Sequence, residues 1–150
     1  MAIQVRPLAA QDKQVWDQLF DGYLIFYKTD LSSEQIALTW NRLLDPEYNS
    51  FGLVAIVDGV VLGLTHYSFQ TSTWALKNYC YLEDLFVSTE SRGQGIGRAL
   101  IDAVLEIAKV EGSSRLYWAT DKSNVTAQKL YDTYGPESGI LQYRIKIINP

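Results

Sequence analysis

Gly93, Gly95 and Gly97 alternate along the chain between Arg92 and Arg98, after a predicted strand and before a predicted helix. Glycine has no Cβ, so the main chain there can come close to a ligand and adopt φ angles that other residues avoid. Successive N–H groups can then converge at the positive end of the following helix dipole. The pattern predicts a diphosphate-binding loop with two arginines at its rim. A turn that binds nothing would explain the glycines alone equally well.

The residue after the third glycine excludes two other phosphate-binding motifs. A Walker loop ends in Gly-Lys-Ser/Thr, whereas Gly97 is followed by Arg98 and Ala99. A dinucleotide-binding fingerprint needs another glycine three positions after the second, and Arg98 occupies that position. The motif that remains is Arg-x-x-Gly-x-Gly, at residues 92–97.

Hydrophobic patterning predicts the elements that must position this loop. Alternating apolar residues indicate strands, and apolar residues three and four apart indicate helices. Asp58-Gly59 between two apolar runs predicts a type I′ hairpin. The predicted order is β-α-α-β-β-β-α-β-α-β, with strands at residues 3–8, 53–57, 60–69, 79–87, 115–120 and 140–148, and helices at about 11–27, from 30 or 32 to 44, from the loop to 111, and from 123 or 124 to 134.

These elements predict an α/β (α+β) fold in a single domain over residues 1–150. The strands before residue 88 favour antiparallel pairing, and the β-α-β portion after it favours a parallel crossover. The simplest assembly is one mixed sheet of about six or seven strands with helices on both faces. No Pro-, Ser- or Gly-rich stretch divides the 150 residues, which suits one domain.

Composition narrows the classes of function. The net charge of −4 argues against a dedicated nucleic-acid surface, which is usually basic. The longest apolar run, residues 51–57, is far shorter than the ~20 residues of a membrane span, and the N-terminus does not resemble a signal peptide. Cys80 is the only cysteine, so neither an intrachain disulfide nor a cysteine-based metal site is expected. These features predict a cytoplasmic protein without metal, nucleic-acid or membrane partners.

Four blocks of the sequence resemble one enzyme superfamily. They are Tyr-Leu-Glu-Asp-Leu-Phe-Val at 81–87, the loop at 92–97, Tyr-Trp-Ala-Thr-Asp-Lys-Ser-Asn at 117–124 and Ala-Gln-Lys-Leu-Tyr at 127–131. In order and spacing they resemble the GCN5-related N-acetyltransferase (GNAT) superfamily. They look most like its branch with the diamine (spermidine/spermine) acetyltransferases and the yeast histone and D-amino-acid acetyltransferases. The first half of the chain, where acceptor specificity usually lies, matches only in the order of its elements.

The resemblance implies how acetyl-CoA would be bound. In this superfamily the strand at 81–87 carries a bulge and splays from its neighbour, which leaves main-chain groups free for the pantetheine arm and the thioester. A main-chain N–H aimed at the thioester oxygen would stabilise the negative charge that develops there. The implied cofactor-binding residues are Leu85, Phe86, Val87, Arg92, Gly93, Gln94, Gly95, Ile96, Gly97, Arg98, Asn124 and Tyr131.

The resemblance also implies two candidate catalytic residues, Tyr131 and Glu83. Asn124 and Tyr131 are seven residues apart, so on a helix they share one face with Ala127 between them. In the superfamily the tyrosine hydroxyl lies near the CoA sulfur, where Tyr131 could protonate the departing thiolate. An ammonium acceptor must first lose a proton, and Glu83 is either that base or a residue that only orders the amine. On an alternating strand Glu83 and Asp84 would face opposite sides.

Several other residues are expected to be structural. His66 is the only histidine and lies on a predicted strand, where a structural role is commoner than a catalytic one. Four large aromatic residues are expected in the core, although some could line the acceptor cleft: Tyr23, Tyr27, Trp40 and Trp118.

The sequence thus favours an N-acetyltransferase that moves acetyl directly from acetyl-CoA to a primary amine of a small molecule, such as a polyamine or an amino acid. A protein lysine or N-terminal acetyltransferase and a non-catalytic acetyl-CoA-binding protein are the alternatives. The resemblance also implies a homodimer, formed through the last strand at residues 140–148.

Overall fold

The computed structural model describes residues 2–148, which divide into two units, residues 2–119 and residues 120–148. The second unit contains one helix, α4 (Val125–Tyr131). None of the helices in the described chain is long and apolar enough to cross a membrane. The first unit contains β1 (Ile3–Pro7), α1 (Lys13–Phe26), α2 (Ser33–Leu43), β2 (Phe51–Val57), β3 (Val60–Gln70), β4 (Tyr79–Val87), α3 (Ile96–Val110) and β5 (Leu116–Tyr117).

The five strands of the first unit form one mixed sheet in the order β1-β2-β3-β4-β5. The first three pairs are antiparallel, and β5 pairs with β4 in parallel after the α3 crossover. Asp58 and Gly59 have φ angles of 52° and 79° between β2 and β3. Positive φ at both positions is what a type I′ turn requires. The predicted hairpin and the predicted change from antiparallel to parallel pairing are both confirmed.

Helices cover both faces of the sheet, as predicted. Gly63 and Leu64 are neighbours on β3 and therefore point to opposite faces. A Cβ on Gly63 would lie only 3.0 Å from Ile96 Cγ2, which shows how closely α3 approaches its face. On the other face α1 and α2 bury a cluster that contains Trp16, Leu19, Phe20, Leu24, Trp40, Leu43, Leu64 and Phe86.

A buried ion pair fastens β1 to the start of α1. The Arg6 guanidinium donates to both carboxylate oxygens of Asp12, at 2.7 and 2.8 Å. The Ala9 main-chain N–H donates to the same carboxylate at 2.8 Å. The Asp12 side chain is only 4% exposed, and these donors hold its pKa below the usual value of 3.8 because they stabilise the charged form.

The strand predicted at residues 140–148 is not formed, so the sheet of the described chain has five strands rather than six or seven. Apolar side chains of this segment are instead exposed, with Tyr143 and Ile145 each at 90%. Alternation gives a segment the ability to form a strand, but a strand also needs an edge to pair with. The pattern within the segment carries no information about that edge.

Candidate active site

A β-bulge interrupts β4 at the position of the candidate base. His66 on β3 pairs with Asp84 and Tyr67 pairs with Leu82, so Glu83 is an extra residue without a cross-strand partner. The Thr65 hydroxyl donates to the Asp84 carbonyl at 2.7 Å beside this irregularity. The bulge that the resemblance implied is therefore present. The strict alternation expected for Glu83 and Asp84 is wrong, because an extra residue resets the two-residue period of the strand.

Main-chain groups beyond the bulge are open on the side of β4 that faces away from β3. The Ser88 N–H donates to the Leu62 carbonyl at 2.8 Å, across to β3. In an antiparallel ladder this orientation recurs at every second residue, so Phe86 also bonds toward β3. Leu85 and Val87 therefore direct their main-chain groups to the β5 side. Pairing with β5 ends at Tyr81, so the described strands leave those groups without a ladder.

This geometry separates the three predicted residues of β4. Leu85 and Val87 present main-chain groups on the open side, as acetyl-CoA binding would require. Phe86 does not, since its main chain faces β3 and its side chain is buried in the α1–α2 cluster. The alternating orientation of a strand makes three consecutive residues unequal as ligands.

The glycine loop has the backbone conformation that an anion site needs. Gly93 and Gly95 have φ angles of 79° and 84°, a region that side-chain-bearing residues rarely adopt. Gly95 is also the N-cap of the fifteen-residue helix α3, where the helix dipole is positive. Ile96 is buried beneath the loop, so only its main chain is available to a ligand. Gln94 and Arg98 are exposed beside these glycines, and Gly97 is half-buried.

Arg92 is held at the edge of the loop by its neighbours. Its guanidinium lies over the rings of Phe26 and Phe86, at 5.1 and 5.4 Å from their centroids. Its Nε donates to the Val87 carbonyl at 3.2 Å. Stacking and a hydrogen bond together restrict a long side chain, which lowers the entropic cost of using its charge. Arg92 therefore links the open end of β4 to the glycine loop.

Behind the bulge, a line of buried polar groups runs from α1 to β4. The Trp16 indole N–H donates to His66 Nε2 at 3.0 Å. His66 Nδ1 lies 2.9 Å from Asp84 Oδ2, and the Tyr23 hydroxyl lies close to the same carboxylate. Burial raises the pKa of Tyr23, and the negative charge of Asp84 raises it further, so Tyr23 remains a phenol.

Glu83 lies next to this line and its side chain reaches the surface. Partial burial raises the pKa of the Glu83 carboxyl, and the neighbouring Asp84 charge raises it further. A higher pKa makes a carboxylate a better proton acceptor at neutral pH. The bulge thus exposes a carboxylate whose surroundings increase its basicity.

Asn124 and Tyr131 belong to the second unit, at the two ends of α4. Asn124 is the N-cap of that helix, and its side chain accepts from the Ala127 N–H at 3.4 Å. Tyr131 is the last helical residue and is half-buried. The capping bond gives Asn124 a structural role. Contact of either residue with CoA stays a prediction.

Sequence reasoning missed the importance of Trp16, His66 and Asp84. They are 50 and 18 residues apart along the chain, so no local spacing connects them. The one available signal was the β3–β4 pairing, which places His66 opposite Asp84. That register depends on the bulge and cannot be read from alternation alone.

A cleft of about 460 Å³ also opens between α1 and the end of β4. Its lining includes Gly22, Phe26, Phe86 and Ser88, but neither Glu83 nor any residue of the glycine loop. Glu83 and the glycine loop therefore lie outside this cleft.

Comparisons with known proteins agree with this geometry. The model of the acetyltransferase (GNAT) family matches residues 15–135. A D-amino-acid N-acetyltransferase of Saccharomyces cerevisiae is 33% identical over 131 residues, which are 86% of this chain and 81% of that protein. A thialysine N-epsilon-acetyltransferase of Bos taurus is 43% identical over 77 residues, which are 51% of this chain and 45% of that protein.

Solved structures share the fold at lower identity. An aminoglycoside acetyltransferase from an uncultured soil sample has a TM-score of 0.79 and 22% identity, covering 97% of each chain. A ribosomal-protein-alanine N-acetyltransferase from Brucella melitensis has a TM-score of 0.76 and 22% identity, covering 97% of this chain and 100% of that one. At this identity the likeness concerns the fold alone. With the family match over residues 15–135, the chain belongs to the acetyltransferase (GNAT) family and is an acetyl-transferring enzyme.

Proposed function

We propose that this enzyme transfers acetyl from acetyl-CoA to a primary amine of a small molecule, such as an amino acid or a polyamine. The observation that carries the proposal is the bulge in β4. It exposes the Glu83 carboxylate next to a fixed second acid, Asp84, and the open main-chain groups of Leu85 and Val87 follow at once along the same strand. An acceptor amine and a thioester can thus meet at one segment.

The first unit has the features that an acetyl-CoA site needs. The diphosphate would be held by main-chain N–H groups around Gly93 and Gly95, where positive φ angles shape an exposed concavity at the start of α3. Arg92 supplies a cation whose position is fixed by stacking. The pantetheine would run along the side of β4 that faces away from β3, by hydrogen bonds to the Leu85 main chain and the Val87 N–H, since the Val87 carbonyl already accepts from Arg92. Asn124 is assigned to it as well, by resemblance.

The chemistry at the site is a direct transfer. Glu83 takes a proton from the acceptor ammonium, directly or through water, and the free amine attacks the thioester carbon. A main-chain N–H of β4 donates to the oxygen on which negative charge develops. The carbon–sulfur bond then breaks, the Tyr131 hydroxyl protonates the thiolate, and the second proton lost by the attacking nitrogen restores the Tyr131 hydroxyl. A phenol of pKa about 10 is protonated at neutral pH and can donate to a thiolate whose conjugate acid has a pKa of about 8.5.

Two acids at the bulge favour a cationic acceptor. An ammonium group beside Glu83 and Asp84 gains Coulomb attraction from both carboxylates. The named relatives support an acceptor of this size, since two of them are acetyltransferases of D-amino acids and of thialysine. A protein acetyltransferase acting on lysines or N-termini is the second candidate.

The experiment that tests the proposal is an acceptor panel. The purified protein with acetyl-CoA is offered D- and L-amino acids, thialysine, ornithine, spermidine and a lysine-containing peptide. CoA thiol release is followed spectroscopically, and products are identified by mass spectrometry. We expect turnover with at least one small amine. Turnover with the peptide alone would indicate a protein acetyltransferase. CoA binding without thiol release would indicate a non-catalytic binding protein.

Tyr131→Phe tests the assigned acid within the same panel. Removing the hydroxyl should lower kcat by about tenfold to a thousandfold, in the range of general-acid contributions, with little change in acetyl-CoA affinity. Isothermal titration calorimetry measures that affinity. An unchanged kcat would remove Tyr131 from the acid role.

The proposal includes a homodimer in a reducing, cytoplasmic compartment. Tyr143, Ile145 and Ile147 alternate along an exposed segment, and such a row is suited to pairing with another chain. Cys80 is a buried free thiol, which suits a reducing compartment. Sedimentation equilibrium should give twice the chain mass for the wild type and a weaker dimer for Ile145→Lys. A monomeric wild type would contradict the dimer.

A further inference from the structure

The hydrogen bonds around His66 determine which of its ring nitrogens carries the proton. An indole N–H can only donate, so His66 Nε2, at 3.0 Å from Trp16 Nε1, must accept. Nε2 is therefore unprotonated, and the proton of the neutral ring is on Nδ1. Nδ1 lies 2.9 Å from Asp84 Oδ2, so it donates to that carboxylate. Trp16 is completely buried and His66 is 4% exposed, so the bond between them is shielded from water.

The Tyr23 hydroxyl on α1 also lies close to the Asp84 carboxylate, and burial keeps that hydroxyl protonated because it raises the pKa of Tyr23. The titratable groups that face the His66–Asp84 pair are Tyr23 from α1 and Glu83 from β4. Gly52 on β2 also lies against the imidazole. It adds no ionisable group, because glycine has no side chain. The imidazole that donates to Asp84 and the phenol beside it are both neutral, so they do not cancel the charge of this carboxylate.

We propose that Trp16 and His66 are positioning residues that hold the Asp84 carboxylate beside Glu83 with a neutral imidazole as its partner, and that this uncancelled charge prepares Glu83 to take the proton of a cationic amine. An imidazolium at position 66 would cancel the charge, and the indole N–H prevents it by occupying the nitrogen that would have to be protonated. The bulge brings the two acids together, and the line of buried groups leaves the charge of Asp84 uncancelled.

This inference deepens the proposed function and rests on it for the role of Glu83. The state of His66 can nevertheless be measured without any turnover. The chain contains one histidine, so nitrogen-15 NMR of the imidazole in the full-length protein shows a single ring that needs no assignment. We expect the Nδ1–H tautomer across neutral pH. An Nε2–H tautomer or an imidazolium at neutral pH would overturn the proposal, whether or not an acceptor is known.

Trp16→Phe removes the indole donor and retains a large aromatic ring. In this variant Nε2 loses its donor, so the imidazole resonances should no longer show the Nδ1–H tautomer alone. Ring-nitrogen resonances identical to those of the wild type would show that the indole does not control the tautomer. Circular dichroism checks that the variant is folded, and if it is not, the wild-type NMR result decides alone.

Asp84→Asn tests the consequence for the reaction. Asparagine retains the shape and one acceptor oxygen for the His66 Nδ1–H but removes the charge, so Glu83 should lose its proton more readily. The acidic limb of the pH profile of kcat/KM should move to lower pH by about one unit, with a slower rate at neutral pH. Asp17→Asn, at an exposed position of α1, serves as the control and should leave the profile in place.

The outcomes of the kinetic test separate the possible roles of Asp84. An acidic limb that does not move, with only a lower rate, would reduce Asp84 to a structural residue and overturn the proposal. Complete loss of activity at every pH in a folded protein would make Asp84 itself the base and would also overturn it. If no amine is acetylated even by the wild type, the proposed function fails. The NMR result still shows which nitrogen of His66 carries the proton.

Discussion

Gly63 is the point where the glycine loop depends on the packing of the sheet. A Cβ at this position of β3 would lie 3.0 Å from Ile96 Cγ2, 3.2 Å from Leu100 Cδ1 and 3.2 Å from the Phe86 carbonyl oxygen. Ile96 opens α3 directly after Gly95 of the loop. Replacing Gly63 by alanine should therefore destabilise the fold and displace the start of α3 together with the acetyl-CoA site.

The expected size follows from these distances. Carbon atoms in good contact are separated by about 3.5–4.0 Å, so Ile96 and Leu100 must each retreat by roughly 0.5 Å. Overpacking of this kind costs about 1–3 kcal/mol. Alanine also restricts the unfolded chain more than glycine does, and this offsets the destabilisation by about 0.4–1 kcal/mol. We expect a net loss of about 1–2 kcal/mol, or roughly 2–8 °C in Tm for a chain of this length.

Urea denaturation and calorimetric titration with acetyl-CoA measure the two effects of Gly63→Ala. We expect acetyl-CoA to bind about threefold to tenfold more weakly. Gly52→Ala is the matched control, since its Cβ would lie 3.2 and 3.3 Å from Leu8 atoms and away from α3. It should lower stability similarly and leave the affinity unchanged. An alanine variant at 63 with wild-type stability, or weak binding in both variants, would refute the reasoning.

Three further predictions concern other parts of the molecule. Asp12→Asn should lower the free energy of unfolding by about 2–3 kcal/mol, because the Arg6 guanidinium loses its charged partner. The wild-type pair stabilises fully above the usual aspartate pKa of 3.8 and is lost as pH falls through the lower folded value, so urea titrations should show the variant's deficit vanish in acid. Gly95→Asp should weaken acetyl-CoA binding by more than tenfold in calorimetry, since it combines strain at φ 84° with a negative charge against the diphosphate. Burial raises the pKa of the Cys80 thiol to about 11, so a disulfide reagent should label the native protein slowly and the urea-unfolded protein at once.

Each of these has a clear contrary result. A pH-independent deficit for the Asp12 variant would mean that the ion pair is not its cause. Undiminished affinity in the Gly95 variant would remove the diphosphate from the loop. Rapid labelling of native Cys80 would show that the sheet opens around β4.

The sequence predicted the features that depend only on residues within one short segment. The Asp58-Gly59 turn, the glycine loop and the bounds of β4 depend on neighbouring residues, and the structure confirms the turn, the positive φ angles of the loop and that strand. Glu83 was identified by resemblance as a candidate, although the reason for its exposure was not foreseen. The segment 140–148 shows the limit, since its alternation is real and no strand forms in the described chain.

The sequence by itself determined the family, the order of the elements and a loop suited to an anion, because each depends on residues close together in the chain. Only the tertiary structure decided what surrounds Glu83. The bulge arises from the register between β3 and β4, and the bond from Trp16 to His66 joins residues 50 positions apart. These contacts depend on how α1 packs against the sheet. The spacing of residues along the chain therefore does not reveal the surroundings of Asp84.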